Sequence, residues 1–345
     1  MVTGQGRKIQ NSETLMNTAK PSPEDAPVAA VLPHLDRRAS SWRNLDQRQR
    51  LWVGGGLAFV VLLVLGFWEP GIALVRLAAG SELHSHILLV PFISTFLVYS
   101  QRKHMPVGQI AASGGGLVAL LAGMAAWAAG RGLHRHLSRL SENDFLALMA
   151  LSFVCFLVAG GFFLLGPKWM RAAAFPAAFL MFMIPLPDGA VEWLKTSSML
   201  ASADAANLFF NLSGTPVMRY GTVFMLPGIV IKVAEECSGI RSSLVLVITG
   251  LLAAHMFLKT PWRRAVLVAV VIPLGILRNG FRILVIGMLC VEMGPDMIHS
   301  PIHHHGGPLF FVLSLVPFFL LLWWLRRGES RTPNPEKGTH SESRE

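Results

Sequence analysis

Long apolar runs separated by short charged loops set the character of this chain. A helix that crosses a bilayer needs about 20 mostly apolar residues. Eight segments approach that pattern, over 51–68, 86–100, 109–130, 145–166, 172–187, 238–258, 265–290 and 307–325. Residues 71–85 are only weakly apolar and read as an interfacial piece between the first two spans. Residues 188–236 are too polar and too broken to form one span. The predicted fold class is all-α, a polytopic membrane helical bundle of about eight transmembrane helices. Residues 1–50 and 328–345 are polar and of mixed charge, and read as disordered cytoplasmic tails on either side of a membrane domain over 51–327.

Composition agrees. Of 345 residues, 52% are hydrophobic and only 14% charged, against roughly 25% charged in a soluble domain. The net charge of +10 would suggest nucleic acid in a soluble protein. Here the basic residues gather in tails and short loops, and no repeated aromatic and basic pattern accompanies them. An even number of spans puts both termini on one side. The basic loops 101–104, 167–171 and 259–264 share that side, which makes it cytoplasmic by the positive-inside rule. The loop 131–139 is also basic and is the exception. Three cysteines, Cys155, Cys237 and Cys290, make no disulfide framework.

This topology brings three chemically distinct segments to the outer face. Cys237 opens the sixth span within Glu235-Glu236-Cys237-Ser238-Gly239-Ile240-Arg241-Ser242-Ser243. Cys155 and Cys290 lie in apolar runs, where cysteine is a small filler. Cys237 has charge on both sides, the setting of a reactive thiol. If the segment is helical, Arg241 shares its face at i+4, and a helix N-terminus would favour the thiolate. Glu235 and Glu236 oppose ionisation. A buried filler cysteine is the plainer alternative.

Arg278, Asn279 and Arg282 fall in the outward half of the seventh span. A charge inside a span costs roughly 2.5–3.5 kcal/mol, so two arginines on one helix face point to a lined or watery cavity. Snorkelling to the interface is the alternative. His303, His304 and His305 follow between the last two spans, with His299 four residues before His303. One of them is a candidate base for the thiol. A metal site on His299 and His303 competes, though Pro301 between them argues against a helix, and so does a solvated loop. His86 opens the second span on the same outer side.

Taken together, these residues resemble the exosortase/archaeosortase family of multi-pass cysteine transpeptidases. The resemblance rests on Cys237-Ser238-Gly239, on Asn279-Gly280-Phe281-Arg282, and on His303 followed by Gly307 and Phe310-Phe311. Ser85-His86-Ile87-Leu88-Leu89-Val90-Pro91 looks like an early family segment, with Ile87 where glycine is usual. Ile184-Pro185-Leu186-Pro187 and Gly214-Thr215-Pro216-Val217 also resemble family landmarks. The resemblance implies that Cys237 is the nucleophile, that Arg282 stabilises an oxyanion and that His303 handles the proton, with His304 its rival by position. Asn279, Arg278, Arg241, Ser238 and His86 are supporting candidates. It implies a periplasm-facing site in a bacterial cytoplasmic (inner) membrane and no cofactor or metal. Its substrates would be exported proteins ending in a short motif of PEP type, a transmembrane span and a basic tail, in connection with exopolysaccharide or surface-protein sorting. Two other readings stay open at this stage. One is a non-enzymatic transporter or polysaccharide-export subunit, with the arginines lining an anion path. The other is a metalloenzyme using His299 and His303.

Overall fold

The computed structural model describes residues 47–81, 83–106, 113–136, 140–233, 239–294 and 301–331. The chain divides into a unit ending at Ala58 and a second unit from Phe59 onward; the packing described below belongs to the second. In chain order the helices are α1 (Gln47–Gly66), α2 (Trp68–Gly80), α3 (Val90–Gln101), α4 (Gly114–His136), α5 (Glu142–Ala172), α6 (Ala174–Phe179), α7 (Asp188–Leu212), α8 (Ile240–Phe257), α9 (Pro261–Met293) and α10 (Pro301–Arg331). Short 3₁₀ turns at Ser85–Leu88 and Leu180–Met183 lead into α3 and out of α6. The strands β1 (Met218–Tyr220), β2 (Val223–Leu226) and β3 (Ile229–Lys232) sit between α7 and α8.

Among the described residues, five helices are long and apolar enough to cross a membrane: α4, α5, α8, α9 and α10. Two bent pairs extend the number to seven if each is one broken span. Residues Gly54–Gly66 and Trp68–Gly80 meet at 73°, and Ala174–Met183 and Asp188–Leu212 meet at 90°. Ser85–Gln101 is apolar but shorter. The polytopic all-α architecture is therefore borne out. The fifth predicted span is only a ten-residue piece, about 15 Å long, which then turns sharply into α7.

Local chemistry sets the helix ends. Ser141 caps α5, its Oγ accepting from the Asp144 amide at 3.0 Å, with Glu142 and Asp144 in the first turn, where carboxylates favour the helix dipole. Near its other end α5 kinks at Gly166-Pro167, where Gly166 has φ 84°. Helices α4 and α5 form a close pair. A Cβ on Gly116, Gly123 or Gly130 would meet Phe162, Phe156 or Met149 within 3.0 Å. This is the small-residue seam of apposed membrane helices.

The stretch 188–236 is not featureless. It folds into α7 and a three-stranded antiparallel sheet of order β1-β2-β3. Pro227-Gly228 turns β2 into β3, with Gly228 at φ 79°, the positive φ that the third residue of a type II turn requires. One face of the sheet joins α7 and the C-terminal half of α9 in a core of Ala206, Phe210, Phe224, Ile231, Ile283 and Ile286. A second core, including Leu246, Leu267, Val271 and Phe318, binds α8, α9 and α10 together. A third ties Ile87 and Val90 to Ile248 of α8.

Contacts along α9 give its register. Gly275 lies against Ser243, Gly280 against Ala205 and Gly287 against Phe210. With 33 residues, α9 is about 50 Å long, whereas the 18 residues of α8 reach about 27 Å. The last fifteen or so residues of α9 thus run on past the first turn of α8, alongside the sheet and α7.

Candidate active site

The site is organised by the first turn of α8. Gly239 precedes the helix with φ 70° and ψ 5°, a left-handed conformation natural to glycine. Its carbonyl accepts from the Ser243 amide at 2.9 Å and from Ser242 Oγ at 3.1 Å. Arg278 of α9 reaches into the same turn. Its Nη2 donates to Ser242 Oγ at 2.6 Å and lies 3.4 Å from the Gly239 carbonyl and 3.5 Å from Ser243 Oγ. Arg278 is buried, and Nη1 has no hydrogen-bond partner among the described residues. Asn279 beside it is 2% exposed and lies directly under Gly239, where a Cβ would come within 2.8 Å of Asn279 Cγ. A buried guanidinium leaning on a helix N-terminus, with one nitrogen unmatched by an acceptor among the described residues, suits a site that handles negative charge.

Arg282 stands one turn beyond Arg278 on α9 and is half-buried. The two share a helix face, as their spacing predicts. Phe281 holds this part of α9 between neighbours, with its ring 6.2 Å from Phe209 of α7 and 6.3 Å from Phe310 of α10. Arg241 is exposed in the first turn of α8. Helix α8 begins at Ile240, after the left-handed Gly239; the i, i+4 relation of Arg241 to Cys237 falls outside the described residues. Cys237 and Ser238 lie outside the described residues, and so does His299. His303 and His304 fall in the first turns of α10, which starts at Pro301; their side chains also lie outside what is described. Pro301 takes the first helical position, where proline is favourable. The other two cysteines are packed away, Cys290 buried and Cys155 half-buried.

His86 sits in the 3₁₀ turn before α3, its Nδ1 3.0 Å from the Leu83 carbonyl, so Nδ1 carries the proton. Ile87 next to it packs in the core that includes Ile248 and Leu244 of α8. Close by is a polar cluster that sequence reasoning did not single out. His84 is 7% exposed, with Nδ1 3.1 Å from Ser81 Oγ. Asn143 donates to the Leu186 carbonyl at 2.7 Å and to Asp188 Oδ1 at 2.8 Å, and Asp144 accepts from the Asp188 amide at 2.8 Å. Burial holds the His84 imidazole below its ordinary pKa, His86 adds to this, and Asp188 opposes it. Ser242 and Ser243 were the other omission. Their spacing before a long apolar run was visible, but their role depends on Arg278, 35 residues away in sequence.

Among the described residues no group of three His, Cys, Asp or Glu side chains is arranged to hold a metal ion. The model of the transmembrane exosortase family matches residues 74–320, a stretch that includes Cys237, Arg278, Arg282 and the histidines. No curated protein and no solved structure matches the chain. With most of its length matched, the chain belongs to the transmembrane exosortase family.

Proposed function

We propose that this protein is a cysteine protease/transpeptidase that cleaves the C-terminal sorting tails of exported proteins. One observation carries the reading. The buried pair Arg278 and Asn279 clamps Gly239, two residues after Cys237, the cysteine whose sequence neighbours are charged. A clamp of this kind holds a reactive segment in one geometry, which is what nucleophilic catalysis needs.

In this reading the Cys237 thiolate attacks the scissile carbonyl carbon. Arg282 faces the developing oxyanion, where a fixed positive charge is worth most. As the C–N bond breaks, His303 delivers its proton to the departing amine. This leaves a thioester on Cys237 that water or an amine resolves. His304 shares the role of proton carrier by position. Arg278 and Asn279 act as positioning residues through Gly239. Ser238, Arg241 and His86 complete the polar lining. The basic loops support an inward-facing assignment for both termini and a periplasmic site in a bacterial inner membrane. The substrates are exported proteins with a PEP-type motif, a span and a basic tail, in keeping with exopolysaccharide-linked surface sorting.

The test is processing in cells of a periplasmic reporter fused to such a tail, with wild type and Cys237→Ala at matched membrane abundance. Cleavage by the wild type alone supports the proposal. Equal cleavage by Cys237→Ala removes Cys237 as nucleophile. An intact reporter in both leaves the transporter reading ahead for this family member.

A further inference from the structure

Among the described residues, the sheet has an edge that no other strand pairs with. Its order is β1-β2-β3, so β3 pairs only with β2. The bonding phase of that edge follows from two facts. The register places Val223 opposite Lys232 and Phe224 opposite Ile231. One residue further on, the Val233 amide donates to the Thr222 carbonyl at 2.9 Å. Directly bonded pairs in an antiparallel ladder recur every second residue. Ile229, Ile231 and Val233 therefore turn their backbone groups toward β2. Val230 and Lys232 turn N–H and C=O outward. No described residue bonds to these outward groups. On the faces of the sheet, Ile231 is buried against α7 and α9 whereas Val230 and Lys232 are exposed.

Such an edge is a template for another strand, and this one leads straight into the candidate nucleophile segment. Lys232 stands five residues before Cys237. Resting on the function proposed above, we infer that β3 is the docking edge for the substrate. The extended residues on the N-terminal side of the scissile bond add as a fourth strand, parallel to β3, and deliver that bond toward Cys237. The direction follows from the substrate itself. Its C-terminal side enters the membrane at once, so only the N-terminal side has extended chain outside to pair. A parallel strand alternates in its bonding. One substrate residue donates to the Val230 carbonyl and accepts from the Lys232 amide, while its two neighbours turn their backbone groups away. Recognition through main-chain bonds gives a docking mode that tolerates varied side chains, as sorting of many different proteins requires.

The test separates this inference from the function beneath it. Purified enzyme in detergent micelles is given synthetic peptides with a Pro-Glu-Pro motif and an apolar span, each bearing one N-methyl amide at a successive non-proline position before the cut. The expected loss alternates with a period of two, about tenfold or more at the bonded positions. A flat profile on a cleaved peptide overturns the strand while leaving the protease reading intact. The companion measurement needs no cleavage. In the Cys237→Ala background, a photo-crosslinking amino acid at position 230 or 232 is expected to capture the tailed reporter, and one at 218 or 220 of β1 is not. Absence of capture at 230 and 232, with the wild type still cleaving the reporter, overturns the inference alone. Absence of both capture and cleavage overturns it together with the proposed function. Lys232→Pro removes the outward N–H that pairs with the substrate without touching a β2 bond and is expected to lower kcat/KM about tenfold, whereas Lys232→Ala stays within about twofold.

Discussion

Gly239→Ala probes the clamp directly, and its cost can be worked from two separate sources. The backbone at Gly239 is left-handed, φ 70°, and an L-residue there costs roughly 1–2 kcal/mol. The new Cβ would also stand 2.8 Å from Asn279 Cγ, 2.9 Å from Oδ1 and 3.2 Å from its Cβ. Asn279 is 2% exposed, so its side chain has nowhere to swing, and overpacking of this kind costs about 1–3 kcal/mol. The sum is about 2–5 kcal/mol, a large share of a typical stability of roughly 5–15 kcal/mol. The two sources can be separated. Asn279→Ala deletes Cγ and Oδ1, which relieves the clash and leaves the backbone strain. The double variant should therefore be less destabilised than the sum of the single ones, by about 1–3 kcal/mol. The assay is unfolding in mixed micelles followed by tryptophan fluorescence for all four corners of the cycle, with tail cleavage measured in parallel. Gly132→Ala in α4 is the control. Its Cβ would meet nothing within 4 Å, so it is expected to be neutral or up to about 1 kcal/mol more stable. A coupling below about 0.5 kcal/mol, or a Gly239→Ala protein as stable as wild type, would refute the clamp.

Three further outcomes are expected. Gly280→Ala puts a Cβ 2.9 Å from the Ala206 amide nitrogen and 3.1 Å from the Ala205 carbonyl carbon; because backbone cannot step aside, α7 must separate from α9, with a loss of about 1–3 kcal/mol in micelle unfolding. Arg278→Lys loses the planar fork that reaches Ser242 and Gly239, and reporter cleavage is expected to fall about ten- to hundredfold at unchanged membrane abundance. Burial places the folded-state pKa of His84 below its ordinary value. The unfolded chain therefore takes up a proton that the folded one refuses, and stability drops as pH falls below about 6.5. Comparing unfolding midpoints at pH 7.5 and 5.5, His84→Gln should show a smaller drop than wild type; equal drops would remove His84 from the account.

The parts of the fold visible in the sequence were those set by periodicity and length. The apolar runs that became α4, α5, α8, α9 and α10 met the spanning criterion without help from tertiary structure, and Arg278 and Arg282 shared a face because four residues nearly complete a helical turn. The sheet had its own signals. Val223-Phe224-Met225-Leu226 and Ile229-Val230-Ile231-Lys232 flank Pro227-Gly228, a turn pair between β-favouring runs. In a chain this apolar, four-residue strands merge with their background. Helix α7 was hidden for another reason. Asp188, Glu192, Lys195 and Asp204 made it too polar for a span, while its packing against α9 runs through Ala205 and Ala206, residues that advertise nothing. The left-handed turn that opens α8 was not legible, because Gly239 acts through its positive φ, a property of the folded backbone.

The unequal lengths of α8 and α9 have a consequence for which substrates the protein can accept. Helix α8 is about as long as the hydrocarbon of a bilayer is thick, about 30 Å, and Arg278 is level with its first turn. With α8 spanning the hydrocarbon, the clamp would sit at one fixed height, at the edge of that layer. A substrate held by its own span presents each residue at a height set by how many residues separate it from that span, about 3.3 Å for each one in extended chain. Three added residues would lift the motif by roughly 10 Å, clear of the guanidinium. In the reaction proposed above, this geometry would make the protein a ruler, selecting by distance from the lipid surface as well as by motif.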